Sequence, residues 1–301
     1  MADNLVVIIP TSGRSELLKR TLESLNNCVK PKIYKETIVV ENGIKGGAEE
    51  ISRIFKKDLS LKYVHNDIPN KSNALNNVIQ SVKNSLIFFT DDDVRLDAKI
   101  LEAYTLASAN TSSGVFYGGP YGVDYVSKPP MWLVEYLPKS AVGWDFGDKA
   151  VCIDKDNTFI GFNWAAFAND LIRLGGFNVN FGPGSKTNAT GQETEMQWRL
   201  LENGVKGCYV PGAKVWHFVP PKRCDQKFAS TRVYRWGISQ GLICKGDIVL
   251  IIATWLRSGV KAIGWKFNKD CSKNVKQYFR FIYYTGLIKG TLLNKWNTYR
   301  G

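Results

Sequence analysis

The stretch LIFFTDDDVRLD, residues 86–97, ends an apolar run in three consecutive aspartates, Asp91, Asp92 and Asp93. Carboxylates resist burial and repel one another, so three in a row at the end of a buried strand require a counter-charge. In strand geometry Asp91 and Asp93 share one face and Asp92 takes the other. Carboxylates at that spacing can hold a divalent cation bridging to phosphate oxygens, and magnesium and manganese both favour oxygen ligands. Two other readings stand beside this one. The acids could cap the next helix, a duty for which Asp97 is better placed, directly before AKILEAY. Aspartyl-phosphate chemistry needs a strand-end DxDxT, and Arg95 occupies the threonine position.

A second carboxylate of interest lies in GQETEMQWRLLENG, residues 191–204. On a helical wheel Glu193 falls on the arc of Met196, Leu200 and Leu201, whereas Glu195, Arg199 and Glu202 fall opposite. Glu195 and Arg199 form an i,i+4 pair, the mark of a solvated face. Glu193 is therefore expected to point inward, where a carboxylate can take a proton from an incoming hydroxyl. The same residue completes a capping box with Thr190, and spacing does not separate the two roles. Of only two histidines, His217 follows an apolar strand pattern. It reads either as a structural residue or as a metal ligand. So few histidines, with no CxxC pair among six scattered cysteines, argue against a zinc site. Free reduced thiols are expected for Cys28, Cys152, Cys208, Cys224, Cys244 and Cys271.

Positioning these groups needs a scaffold. NLVVIIP, KETIVVENG, LKYVHND and SLIFF read as strands, and SELLKRTLESLNN and SNALNNVIQSVKN as helices between them, with Ser15 a candidate N-cap. Alternating strands and helices predict a doubly wound α/β fold, a mostly parallel Rossmann-like sheet with helices on both faces. Ligands in such folds bind beyond the carboxyl ends of the strands. Three of those ends are polar: Thr11 to Arg14, Glu41-Asn42, and Asp91 to Asp93. They are expected to converge on one rim.

The 301 residues are 44% hydrophobic and 12% aromatic, which excludes a disordered chain. The net charge of +13 is uneven. Residues 1–221 carry 24 basic and 24 acidic residues, and residues 222–301 carry 16 and 3. The expected division is therefore a catalytic domain over 1–221 and a basic, mainly helical C-terminal extension over 222–301. In the extension, DIVLIIATWLRSG and NVKQYFRFIYYTGLIKGTLLNKW read as helices. Lys276 and Arg280 share one face of the second, and Phe279, Ile282 and Tyr283 another. Such faces suit an anionic membrane surface, with helices packed on the domain as the alternative. No nucleic-acid motif is present, so no nucleic-acid partner is expected. No apolar run spans a bilayer and the N-terminus lacks a basic leader, so a cytoplasmic location is expected, peripheral on the cytoplasmic face of a membrane if the tail binds there.

Taken together, VVIIPTSGRSELLKRTLESL, ETIVVENG, KSNALNNVI, FFTDDDV, GFNWAAF…LGGFN, GQETEMQWRLLENG and YVPGAKVWHFVPPKR resemble family 2 glycosyltransferases, inverting enzymes of GT-A fold. The resemblance runs over roughly residues 4–240. It implies transfer of a sugar from a nucleotide-sugar donor, most simply a UDP-sugar, to the hydroxyl of a glycan, lipid-linked or other acceptor. It also implies Mn2+ or Mg2+ as cofactor and a place in surface polysaccharide or glycoconjugate synthesis. By position, Glu193 would be the base, and Asp93 and His217 would serve the metal. Thr11, Arg14, Glu41, Asn73, Asn76, Asp91, Asp92, Asn163 and Trp164 would bind the donor, Asp92 without a specific contact to name. Leu75 stands where the family often has Arg, Gln192-Glu193 where it has Glu-Asp, and Glu41 where it has Asp. These departures keep a non-catalytic sugar-nucleotide or glycan-binding relative as the alternative.

Overall fold

The computed structural model describes residues 3–243, 247–267 and 272–300. Cys244 and Cys271 lie outside them. The strands are β1 Asn4–Thr11, β2 Tyr34–Asn42, β3 Lys62–Asn66, β4 Ser85–Phe89, β5 Val94–Leu96, β6 Val115–Gly118, β7 Tyr121–Tyr125, β8 Cys152–Ile153, β9 Trp164–Phe167, β10 Lys206–Tyr209 and β11 Val215–Val219. The helices are α1 Ser15–Asn26, α2 Ala48–Ile54, α3 Lys71–Ile79, α4 Ile100–Ala107, α5 Ala168–Arg173, α6 Gln192–Glu202, α7 Gln226–Ile243, α8 Ile248–Phe267 and α9 Ser272–Arg300.

Eight strands form one sheet in the order β3-β2-β1-β4-β9-β6-β10-β8. The first four are mutually parallel, β9 runs antiparallel to both its neighbours, and β8 is antiparallel to β10. A smaller sheet has the order β5-β11-β7. The mostly parallel α/β architecture expected from the alternating pattern is therefore present, with two reversed strands that the pattern did not show.

The period of two along β1 explains its placement between two helical layers. Leu5, Val7 and Ile9 pack with Leu18, Leu22 and Leu25 of α1. Val6 and Ile8 pack on the other side with Ala74, Leu75, Val78 and Ile79 of α3. Each buried aliphatic side chain contributes about 1.5–3 kcal/mol, which fixes the register against a one-residue slip. That register decides where the site falls: Thr11 pairs with Glu41 across β1 and β2, and Ile8 with Phe89 across β1 and β4. Three carboxyl ends thus finish side by side.

Two local expectations are revised. Helix α1 begins at Ser15, with Arg14 as the preceding residue and no side-chain cap. Asp97 does not cap α4 directly. Its carboxylate accepts the Lys99 N–H at 2.9 Å, forming a turn one step ahead of the helix. Cys28, Cys152, Cys208 and Cys224 are free, and burial pushes the Cys28 thiol up to about 11.

The chain divides into two compact units. The first comprises 1–124, 143–179 and 192–218, and the second 125–142, 180–191 and 219–301. Within the second unit, Gly237 and Gly241 of α7 face Gly286 and Gly290 of α9. A methyl group at any of the four would overlap the backbone of the opposing helix, so the two helices meet main chain to main chain. Phe279 of α9 is buried and stacks on Tyr136 at 4.1 Å. The aromatic arc of α9, expected to face a membrane, therefore begins in an interior contact.

Candidate active site

Strand β4 stops at Phe89, and Asp92 and Asp93 sit in the turn that leads to β5. The strand geometry expected through the three acids does not persist, so their sorting by face is overturned. The turn is pinned from below by Thr21 of α1, whose hydroxyl donates to Val94 O and accepts the Val94 N–H. Asp92 and Asp93 both point at Arg14, and Asp91 points elsewhere.

Asp92 is fully buried. Its Oδ2 accepts from Thr11 Oγ1 at 2.5 Å and from Arg14 Nε at 3.1 Å, and its Oδ1 pairs with Arg14 Nη2. Burial pushes the Asp92 carboxyl up to about 7; Arg14 and Thr11 pull it down, and the charges of Asp93 and Asp91 raise it further. Arg14 Nη1 donates to Asp93 Oδ2 at 2.8 Å. Burial alone would lower the Arg14 pKa, but the surrounding charges of Asp92, Asp93 and Asp91 outweigh it and hold the guanidinium above its ordinary value. This is the counter-charge that the aspartate run requires. Asp92, to which the motif resemblance gave no specific contact, is the acid most deeply engaged.

Strand β11 runs antiparallel to β5 with His217 opposite Val94, and Phe218 N donates to Asp93 O at 2.9 Å. His217 is buried, stacked on Phe162 at 4.8 Å, with Nε2 3.4 Å from Asp93 Oδ1. The Asp93 carboxylate suits either Mn2+ or Mg2+, and an imidazole nitrogen beside it favours the transition metal Mn2+ over Mg2+. Among the described residues no group of three or more His, Cys, Asp or Glu is placed to hold a metal alone. The residues fit a cation whose remaining ligands come from substrate phosphates and water, the usual arrangement for phosphate-bound magnesium.

Asp91 is paired with Lys71, Nζ to Oδ1 at 2.5 Å. Burial would lower the Lys71 pKa, yet Asp91, Glu193 and Asp92 together raise it. Lys71 thus lies within the field of both the aspartate turn and Glu193. Sequence reasoning missed this residue. The available signal was its position: a lysine at the first residue of a helix opposes the macrodipole, so an acid nearby is needed to account for it.

Glu193 lies in the first turn of α6, half-buried, with its carboxyl group over Gly161. A Cβ at Gly161 would lie 2.9 Å from Glu193 Cδ, so the absence of a side chain there makes room for the acid. The helix starts at Gln192, which puts Gly191 rather than Thr190 immediately before it. The buried arc of α6 is Gln192, Met196, Gln197 and Leu200. Gln197 anchors the helix by accepting the Phe159 N–H and donating to Phe159 O. The Glu195–Arg199 pair is present but is not a solvated feature: Arg199 also donates to Leu174 O and Gly176 O, and both side chains are largely covered.

Four of the expected donor-binding residues are engaged in holding the scaffold. Glu41 is buried, accepting from Gly46 N and Tyr63 Oη, each at 2.6 Å. Asn76 clamps Phe177 through both its amide ends. Asn163 is fully buried, accepting from Tyr104 Oη and donating to Pro120 O and Ala213 O. Trp164 is a core residue stacked on Phe89 at 4.9 Å. Asn163 and Trp164 are thus enclosed side chains, Trp164 opposite Phe89 at the end of β4 and Asn163 among three carbonyl and hydroxyl partners. Asn73 lies on the first turn of α3, where its N–H donates to Asn70 Oδ1.

A parallel sheet with a carboxylate turn at the end of its fourth strand, facing a histidine strand and a carboxylate helix, is the layout of GT-A glycosyltransferases. The solved structures agree on the fold. A mannosyltransferase from Pyrobaculum calidifontis, in complex with GDP-Man and Mn2+, superimposes with a TM-score of 0.60 at 16% identity, covering 98% of this chain and 87% of that one. TarS 1-349 of S. aureus, in complex with UDP-GlcNAc, gives 0.55 at 13% identity over 81% and 68%. Residues 6–173 match glycosyl transferase family 2, and the chain belongs to that family. Among curated relatives, Escherichia coli chondroitin synthase is 27% identical over 251 residues, 73% of this chain and 35% of the relative. Validoxylamine A glucosyltransferase of Streptomyces hygroscopicus subsp. jinggangensis (strain 5008) is 26% identical over 224 residues, 67% and 52%. The chain therefore spans about a third to a half of the length of these relatives.

Proposed function

We propose that this chain is an inverting glycosyltransferase that moves a sugar from a nucleotide-sugar donor to an acceptor hydroxyl. The observation that carries the reading is the meeting of Thr11, Arg14, Lys71 and the three aspartates at the carboxyl ends of β1 and β4, within the field of Glu193. Cations and hydrogen-bond donors gathered at that rim suit a diphosphate, and a half-buried carboxylate beside them suits general-base work.

In this reading Asp93 and His217 hold Mn2+ or Mg2+. The cation, when bound, offsets charge on the departing nucleoside diphosphate. Arg14 and Lys71 orient the diphosphate and add to that neutralisation. Glu193 takes the proton of the acceptor hydroxyl as its oxygen forms the bond to the anomeric carbon. The bond to the diphosphate oxygen breaks on the opposite face, so configuration inverts in one displacement. The missing side chain at Gly161 leaves room for the Glu193 carboxyl beside the rim, and such positioning reduces the entropic part of the barrier.

The donor is read as a UDP-sugar, in line with the UDP-GlcNAc bound to the TarS neighbour. The mannosyltransferase neighbour carries GDP-Man, so thermal shift with UDP- and GDP-sugars decides the base. A role in polysaccharide synthesis follows the chondroitin synthase relative. Peripheral attachment to the cytoplasmic face of a membrane is assigned to the basic C-terminal region.

Glu193→Gln tests the mechanism. Transfer is expected to fall by about 100- to 10,000-fold with nucleotide affinity unchanged. Normal transfer by the variant removes Glu193 as base. A wild-type chain that binds nucleotide sugars and turns none over would instead be a binding relative.

A further inference from the structure

Helix α8 carries two apolar faces, and its partner α9 accounts for one of them. Ile251, Trp255 and Ser258 face inward: Ile251 and Ser258 are buried, and Trp255 donates to Thr285 Oγ1 of α9 at 2.9 Å while stacking on Phe281. The other face is open. Val249, Ile252, Leu256, Val260 and Ile263 are 71%, 40%, 55%, 71% and 60% exposed. At about 100° per residue these five aliphatic side chains fall within an arc of about 80°. The stripe extends along the helix for about 20 Å. Single exposed aliphatics are ordinary, but a contiguous stripe of five marks a surface with a partner.

Charge identifies that partner. Arg257 and Lys261 are exposed and lie about 60° and 100° around the helix from the Val260 edge of the stripe, on a side that also carries Leu250, 66% exposed. Residues 222–301 hold 16 basic and 3 acidic residues. A second copy docking through the same stripe would set these basic edges against each other, because a two-fold interface pairs like patch with like patch. An anionic lipid surface offers the opposite sign at its headgroups and acyl chains beneath them. No helix among the described residues is long and apolar enough to cross a membrane, so the geometry is that of a helix lying in the interface.

We propose that α8 is the lipid-docking element of this protein. It lies along an anionic membrane with Val249, Ile252, Leu256, Val260 and Ile263 inserted below the headgroups and Arg257 and Lys261 at headgroup level. This rests on the membrane attachment proposed above for the basic C-terminal region and assigns it to α8. It is independent of the reaction.

Flotation of the full chain with phosphatidylcholine vesicles, with and without phosphatidylglycerol, tests it. The wild type is expected to float with the anionic vesicles and to be released by salt. Leu256→Glu/Val260→Glu should lower partitioning by about tenfold or more, since it removes apolar insertion and adds like charge to the lipid. Arg257→Gln/Lys261→Gln, which leaves the stripe intact, should weaken anionic-vesicle binding by about fivefold per charge, about 30-fold together. Wild-type chain that stays unbound to both vesicle types overturns the proposal. So does a Leu256→Glu/Val260→Glu variant that floats normally, or one whose only change is conversion of a dimer to a monomer in sedimentation. Donor turnover measured without vesicles should match wild type in both variants, so loss of docking and loss of the glycosyltransferase reading remain separate results.

Discussion

Arg14 Nη1 and Asp93 Oδ2 stand 2.8 Å apart, so an aspartate proposed to hold a metal is already paired with a cation of the protein itself. The same guanidinium holds Asp92. Arg14 is thus an internal counter-charge that a metal must share with or displace from Asp93.

That competition can be measured. Arg14→Met is expected to bind Mn2+ about tenfold more tightly by calorimetry in the absence of nucleotide, because charge-assisted hydrogen bonds contribute about 1.5–3 kcal/mol each. The variant should also melt at a lower temperature, since two buried carboxylates lose the guanidinium they share. Unchanged or weaker Mn2+ binding would remove the competition.

The raised Asp92 pKa predicts a pH dependence of stability. Folding raises this pKa to about 7, so the folded chain keeps a proton that the unfolded chain has released between about pH 4 and pH 7. Wild-type stability from this group therefore declines as pH rises through that window, by up to about 1.4 kcal/mol per pH unit, and levels off above about 7. Asp92→Asn carries no such titration. Urea denaturation should show the stability of the variant relative to wild type improving from about pH 5 to about pH 8. A constant or shrinking difference contradicts the assignment.

Gly161 leaves room for the Glu193 carboxyl, and Gly161→Ala should move that carboxyl by a few tenths of an ångström or more. Expected effects are a fall in kcat of about 10- to 100-fold and a donor KM within about twofold of wild type. An equal loss through KM alone would show that the glycine serves donor binding instead.

How much of this was legible beforehand differs from residue to residue. β1 to β4, α1 and α3 were readable because their apolar periods of two and 3.6 are local properties of the chain, whereas the seven-residue α2, Ala48–Ile54, is too short to show a period and was missed. The convergence of Thr11, Glu41 and the aspartates followed from parallel topology. The inward side of Glu193 was readable from the arc of Met196 and Leu200. The antiparallel insertion of β9 was not, since a short buried strand carries no mark of its direction. Asn163 and Trp164 looked available for a ligand and proved to be enclosed, because burial is set by neighbours distant in sequence. The open stripe of α8 was equally hidden: the helix has apolar residues on more than one face, and only packing against α9 shows which is covered.

The sequence by itself determined that three adjacent acids would meet at a ligand rim and that facing cations, together with any proton retained there, had to offset them, because like charges at a buried strand end must be countered or neutralised. Only the tertiary structure decided which cations those are. Arg14 comes from 78 residues away to Asp92, and Lys71 from 20 residues away to Asp91. Such pairings depend on strand register and helix placement, which no local pattern encodes.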